Sequence, residues 1–112
     1  MKYIYVISDG DRCQKVGVAA DPMVRLRDLQ TASSFKLELV EAFRIETAAR
    51  AYEIEKCVHR RLVKFAMTGE WFDLPASAAV AAVRTAILDP TTMTAAKIRK
   101  SLLDTGLLFE YE

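Results

Sequence analysis

The sequence predicts one mixed α/β domain of the α+β kind: a small antiparallel three-stranded sheet flanked by helices, followed by a helical C-terminal extension. Three observations predict it. Two β-rich runs flank a Ser-Asp-Gly-Asp-Arg turn, two capped helical segments bracket a further strand-like run, and 112 residues with 52% hydrophobic content suffice to bury a core without staples.

Tyr3-Ile4-Tyr5-Val6-Ile7 is β-branched and aromatic with apolar side chains at both parities, the pattern of a central strand covered on both faces. Ser8 to Arg12 carries turn chemistry, and Gln14-Lys15-Val16-Gly17-Val18 resumes strand character, so the first unit is a β-hairpin. A loop made of Asp9-Gly10-Asp11 pairs Ser8 with Arg12 and puts Tyr5 opposite Lys15 on one face. Asp21-Pro22 is an N-cap with proline at the first helical position, and Met23, Leu26 and Leu29 keep helical spacing up to Thr31-Ala32-Ser33-Ser34. Lys36 to Ile45 alternates in part, broken at Val40, and predicts the third strand. Thr47 caps a long helix whose Ala51, Ile54, Val58, Leu62 and Phe65 share a narrow arc, with Gly69 closing it.

Glu70-Trp71-Phe72-Asp73-Leu74, stopped by Pro75, is too short for a helix and is a small strand or anchor. Helices are expected over 77–88 and 94–103, separated by Asp89-Pro90, with Ala79, Val80, Val83 and Ile87 inward or, alternatively, offering a homodimer surface. The expected plan is a core over 1–75 and an extension over 76–112 packed on the same domain.

Lys+Arg 16 against Asp+Glu 15 gives net charge +1, which excludes a polycationic nucleic-acid binder. Residues 1–65 hold 12 basic and 9 acidic side chains, so an anion-binding face belongs there. Cys13 and Cys57 lie far apart beside a single histidine, which excludes zinc fingers and disulfide frameworks and leaves two inert thiols. Met1-Lys2-Tyr3 leads straight into a strand and no apolar run spans a bilayer, so a cytoplasmic protein without a membrane partner is expected.

Tyr3-Ile4-Tyr5, Lys15-Val16-Gly17, Arg25, Glu55 four residues before His59, and Gly69-Glu70-Trp71-Phe72 form a spaced series. Over Tyr3 to Leu74 it resembles the GIY-YIG nuclease superfamily, in particular the phage and bacterial branch that includes the meiotically-up-regulated-gene type domains. The resemblance implies that Tyr5 acts as general base or positions the attacking water, that Arg25 contacts the scissile phosphate, and that Glu55 holds the divalent metal, Mg²⁺ or Mn²⁺. It implies DNA as partner. Lys15 stands where a second tyrosine is usual, Tyr3 where a glycine is, and Gly17, Tyr3 and Glu70 support the site. His59 joins the catalytic set through its i+4 relation to Glu55.

Elementary chemistry asks for the same parts. Phosphodiester hydrolysis needs a deprotonated water, neutralised phosphoryl oxygens and a stabilised leaving oxygen. Tyrosine, with a pKa of about 10, is a poor base unless a nearby cation lowers it, and a Lys15 opposite Tyr5 would be that cation. Taken singly, each residue is commonplace: strand tyrosines pack cores, helix arginines face water, and Glu55 with His59 is an ordinary helix pair. Their joint spacing favours a metal-dependent DNA endonuclease. The alternatives are a nucleic-acid-binding or regulatory module of the same fold without cleavage, and a protein-interaction module using the C-terminal helices.

Overall fold

The computed structural model describes residues 1–10 and 12–92. Strands β1 (Lys2–Ser8) and β2 (Cys13–Ala19) form a hairpin, α1 (Pro22–Thr31) follows, then β3 (Glu38–Ile45), α2 (Ala48–Arg61), a 3₁₀ turn (Val63–Phe65), β4 (Trp71–Asp73) and α3 (Ala76–Leu88). All strand pairs are antiparallel, in the order β3-β1-β2-β4. The α+β class is as the sequence predicts. The aromatic segment after Gly69 adds itself at the edge of β2, so among the described residues the sheet has four strands rather than three.

β1 is central and covered on both faces. Ile4 and Val6 point to a large core with Val16, Ile45, Ile54, Val58, Phe72, Ala79 and Val83, built by α2 and α3. Tyr5 and Ile7 point to the other face, where Leu26 and Leu29 of α1 cover them together with Leu37 and Trp71. Of the positions expected inward on α3, Ala79 and Val83 are fully buried and Val80 and Ile87 are partly buried against the core. Helical backbone resumes at residue 90, and the helix expected over 94–103 lies outside the described residues.

Two local expectations are corrected and a third is explained. The hairpin turns between Asp9 and Cys13, where Asp9 N donates to Cys13 O at 3.1 Å and the Asp9 carboxylate accepts from Cys13 N at 3.1 Å. The turn therefore sits one residue later than expected. Ser8 pairs with Gln14, Tyr5 with Gly17 and Ile7 with Lys15. A register shift of two preserves the face, so Tyr5 and Lys15 still share one side of the sheet, diagonally rather than directly opposed.

The break at Val40 is a β-bulge: Val6 pairs with Glu41 and Ile7 with Leu39, leaving Val40 between them. Finally, α2 ends at Arg61 rather than continuing toward Gly69, and Phe65 is 45% exposed instead of joining the apolar arc. The chain must leave the helix there because Ala66 bridges Phe72 and the following hairpin delivers β4 to β2.

Candidate active site

β4 pairs with β2 only over Cys13, Gln14 and Lys15, so among the described residues the edge of β2 beyond Lys15 has no strand partner. α2 covers it. His59 Nε2 lies 2.9 Å from the carbonyl oxygen of Val16, and since a carbonyl only accepts, that nitrogen carries the hydrogen. One turn earlier, the Glu55 carboxylate accepts from the backbone N–H of Val18. The i, i+4 spacing of the pair matches the two-residue step along the strand, and the His59 ring also packs on Phe72 with centroids 5.3 Å apart.

Tyr5 reaches this edge from the other face. Its ring lies across Gly17, so close that a Cβ at residue 17 would come within 2.6 Å of Tyr5 Cζ and overlap the phenol oxygen. Glycine is what lets the hydroxyl pass over β2. Tyr3 stands two residues earlier on the same face, half-buried and opposite Ala19.

Arg25 projects from α1 and hydrogen-bonds the Tyr5 hydroxyl, which raises the pKa of the guanidinium further. The Tyr5 phenol is itself held above its ordinary range, first by burial and then by the charges of Glu70 and Glu55, which together outweigh the Arg25 hydrogen bond and charge. The expectation that Lys15 is the cation that activates Tyr5 is therefore corrected: the cation on the phenol is Arg25, and the net shift is upward.

Lys15 does something else. It is a strand lysine with only 6% exposure, its Nζ donating to the Gly69 carbonyl at 2.8 Å, facing Glu70 Oε2 at 3.6 Å and lying 5.8 Å from the Trp71 ring centroid. A buried ammonium requires such partners. Gly69 and Glu70 both have positive φ, 64° and 69°, between Thr68 and Trp71, whose N–H returns to Thr68 O at 3.4 Å. Two successive left-handed residues are the type I′ turn of a tight hairpin. Gly69 is thus a turn residue, and Glu70 is held in a backbone conformation that costs a non-glycine residue about 1–2 kcal/mol.

Glu55 completes the arrangement. Its carboxyl is raised above the ordinary carboxylate range, by burial first and by the negative charge of Glu70 second, against the lowering influence of His59, the Val18 N–H and Lys15. The structure thus gathers Tyr5, Lys15, Arg25, Glu55, His59 and Glu70 around the open end of β2, with Gly17 beneath. No local sequence signal pairs Arg25 with Tyr5 or Lys15 with Gly69, because those contacts join separate elements. The edge-capping role of Glu55 and His59 was visible only as their i, i+4 spacing.

Among the described residues no group of three or more His, Cys, Asp or Glu is assembled to hold a metal on its own. The donor chemistry at Glu55 nevertheless fits a hard divalent cation. A half-buried carboxylate raised by a neighbouring carboxylate gains from an added positive charge, and Mg²⁺ commonly binds one or two carboxylates and fills its shell with water and phosphate oxygens.

No helix of the described residues is long and apolar enough to cross a membrane. No curated protein and no solved structure matches the chain significantly. The match is at the level of a domain family related to phage nucleases, and it runs over residues 2–87, from the first strand into the last turn of α3 and through all the residues gathered at the β2 edge. The chain belongs to the T5orf172 domain family.

Proposed function

We propose that this protein is a metal-dependent DNA endonuclease of the GIY-YIG type, with Mg²⁺ or Mn²⁺ bound by Glu55. The observation that carries the reading is the convergence, at one open strand edge, of an Arg25 guanidinium bonded to the Tyr5 hydroxyl and a half-buried Glu55 carboxylate. Membership of a nuclease-related family supports it.

Hydrolysis forms a bond from a water oxygen to phosphorus and breaks the bond to the leaving oxygen; the water gives up a proton and the leaving oxygen takes one. A divalent ion held by Glu55 would supply positive charge against the phosphoryl oxygens and would favour ionisation of a nearby water. Arg25, always charged and anchored at Tyr5, holds the phosphate and meets the negative charge that develops on it. Tyr5 remains a neutral phenol at neutral pH, so its role is to orient the attacking water through its hydroxyl rather than to deprotonate it. The Val18 amide fixes the Glu55 carboxylate in place, and His59, bonded to the Val16 carbonyl, anchors the same helix to the strand. Lys15, tied to Gly69 and Glu70, holds the turn against the sheet.

That tether also favours a second reading, in which the site binds phosphate without cutting it, because Lys15 occupies the place of a second tyrosine and makes a structural contact. Incubation of supercoiled plasmid with Mg²⁺ or Mn²⁺, against a chelator control, separates the two. Metal-dependent nicking that is lost in Glu55→Gln and Tyr5→Phe supports the endonuclease. Binding by wild type with no nicking of duplex, single-stranded or branched DNA supports the non-cleaving module. Dimerisation through the C-terminal helices remains a proposal that sedimentation can test.

A further inference from the structure

On the α1 face of the sheet an open groove of about 540 Å³ lies beside the site, lined by Leu29, Phe35, Leu37, Met67 and Trp71, with Ser34 among its polar groups. Much of this apolar surface faces solvent: Phe35 is 65% exposed and Met67 54%. Two elements are shared with the site. Leu29 lies four residues, about 6 Å along the axis, beyond Arg25 on α1. Trp71 follows Glu70 directly and places its ring near the Lys15 ammonium. The groove therefore adjoins the site through the Trp71 wall, whose ring centroid lies 5.8 Å from Lys15 Nζ, and through the helix that carries Arg25.

We propose that this groove receives an unpaired nucleobase adjacent to the scissile phosphate, so that the substrate is single-stranded or branched nucleic acid rather than continuous duplex. The inference rests on the phosphodiester reading above. An apolar groove with aromatic walls next to a cationic group is the arrangement that binds single strands, since every base has a face that stacks and every phosphate a charge to be met. A stacked base cannot leave a continuous duplex without the cost of unpairing, which makes the groove selective for strands already open.

Trp71 is the sole tryptophan of the chain, so fluorescence excited selectively at tryptophan reports on the wall that the groove shares with the site. The experiment titrates the full chain, in chelator, with a short single-stranded oligodeoxynucleotide, with its duplex, and with the same single strand carrying abasic positions, reading both fluorescence and anisotropy. The single strand is expected to quench Trp71 and to bind at least several-fold more tightly than the duplex; the abasic strand should bind without quenching. Phe35→Ala, at an exposed position, should weaken single-strand binding about tenfold, the order expected for one stacked base, and leave duplex binding unchanged. Salt-sensitive binding with no quenching, equal affinities for all three ligands, or an unaffected Phe35→Ala would overturn the groove proposal and leave the phosphate site standing. Absence of any nucleic-acid binding would overturn both. Quenching by the abasic strand equal to that by the intact one would also overturn it, as backbone contact alone would then explain the signal.

Discussion

The phenol of Tyr5 fills the space that a side chain at residue 17 would need, and the two residues face each other across the β1–β2 ladder. This single relationship sets where the hydroxyl sits relative to Arg25 and Glu55. Gly17→Ala leaves the strand conformation permissible and forces the ring to move. It is expected to destabilise the fold by about 1–3 kcal/mol, the usual cost of overpacking, and to depress nicking far more than DNA affinity. Chemical denaturation and plasmid nicking measured side by side check this; an alanine variant of full activity would show that the ring position is not critical.

Glu55 gives a pH dependence with a definite sign. Its folded-state pKa is raised, so the folded chain holds the proton more tightly than the unfolded chain. Stability contributed by this group therefore falls as pH rises through the ordinary carboxylate range toward the raised value, and the loss persists at neutral pH. Glu55→Gln keeps an acceptor for the Val18 amide and removes the charge. The variant should melt above wild type at neutral pH, with the gap closing in acid where Glu55 is protonated in both states. A gap that widens in acid would contradict the assignment.

Glu70 combines a left-handed backbone with a charge facing Lys15. Glu70→Gly relieves the backbone cost, about 1 kcal/mol, while removing the carboxylate. Glu70→Gln keeps the backbone cost and removes only the charge. If the carboxylate serves the site, both variants should lose nicking to a similar degree while only the glycine variant gains stability. Full activity in the glycine variant would mean that the residue serves the turn alone.

Gln14 is wholly buried on the α2–α3 side of the sheet, and neither its Nε2 nor its Oε1 has a hydrogen-bond partner among the described residues. An amide left unpaired in a core costs about 1–3 kcal/mol. Gln14→Met is close in shape and lacks the polar atoms, so it should raise the melting temperature without altering nucleic-acid binding. A lower melting temperature would mean that the amide is satisfied in solution.

Much of the fold was legible from local residue patterns. The apolar residues at both parities of β1 required two covered faces, and the sheet has them. Asp21 and Thr47 cap α1 and α2 through their side chains, as their positions before Pro22 and before an amphipathic run implied. The interruption at Val40 was visible and proved to be a bulge. The spacing of Tyr5, Gly17, Arg25, Glu55 and His59 was likewise visible, although spacing alone did not say which of them touch.

Tertiary structure decided the rest, for one physical reason: local propensity says what a segment can become, while register and helix ends are set by partners distant in sequence. The hairpin turn moved one residue because Asp9 and Cys13 close it with main-chain and side-chain hydrogen bonds and Cys13 also pairs with Asp73. α2 stopped at Arg61 because the chain had to return to β2 with Trp71 to Asp73. The cation on Tyr5 is Arg25 rather than Lys15, since α1 packs across the sheet at that point while Lys15 is drawn to the Gly69 carbonyl, 54 residues away in sequence. Residue types fixed which chemistry was present in this chain; packing of α1, α2 and β4 around the short edge of β2 decided which groups meet, because only burial and hydrogen bonding between distant segments distinguish among arrangements that local sequence leaves equally favourable.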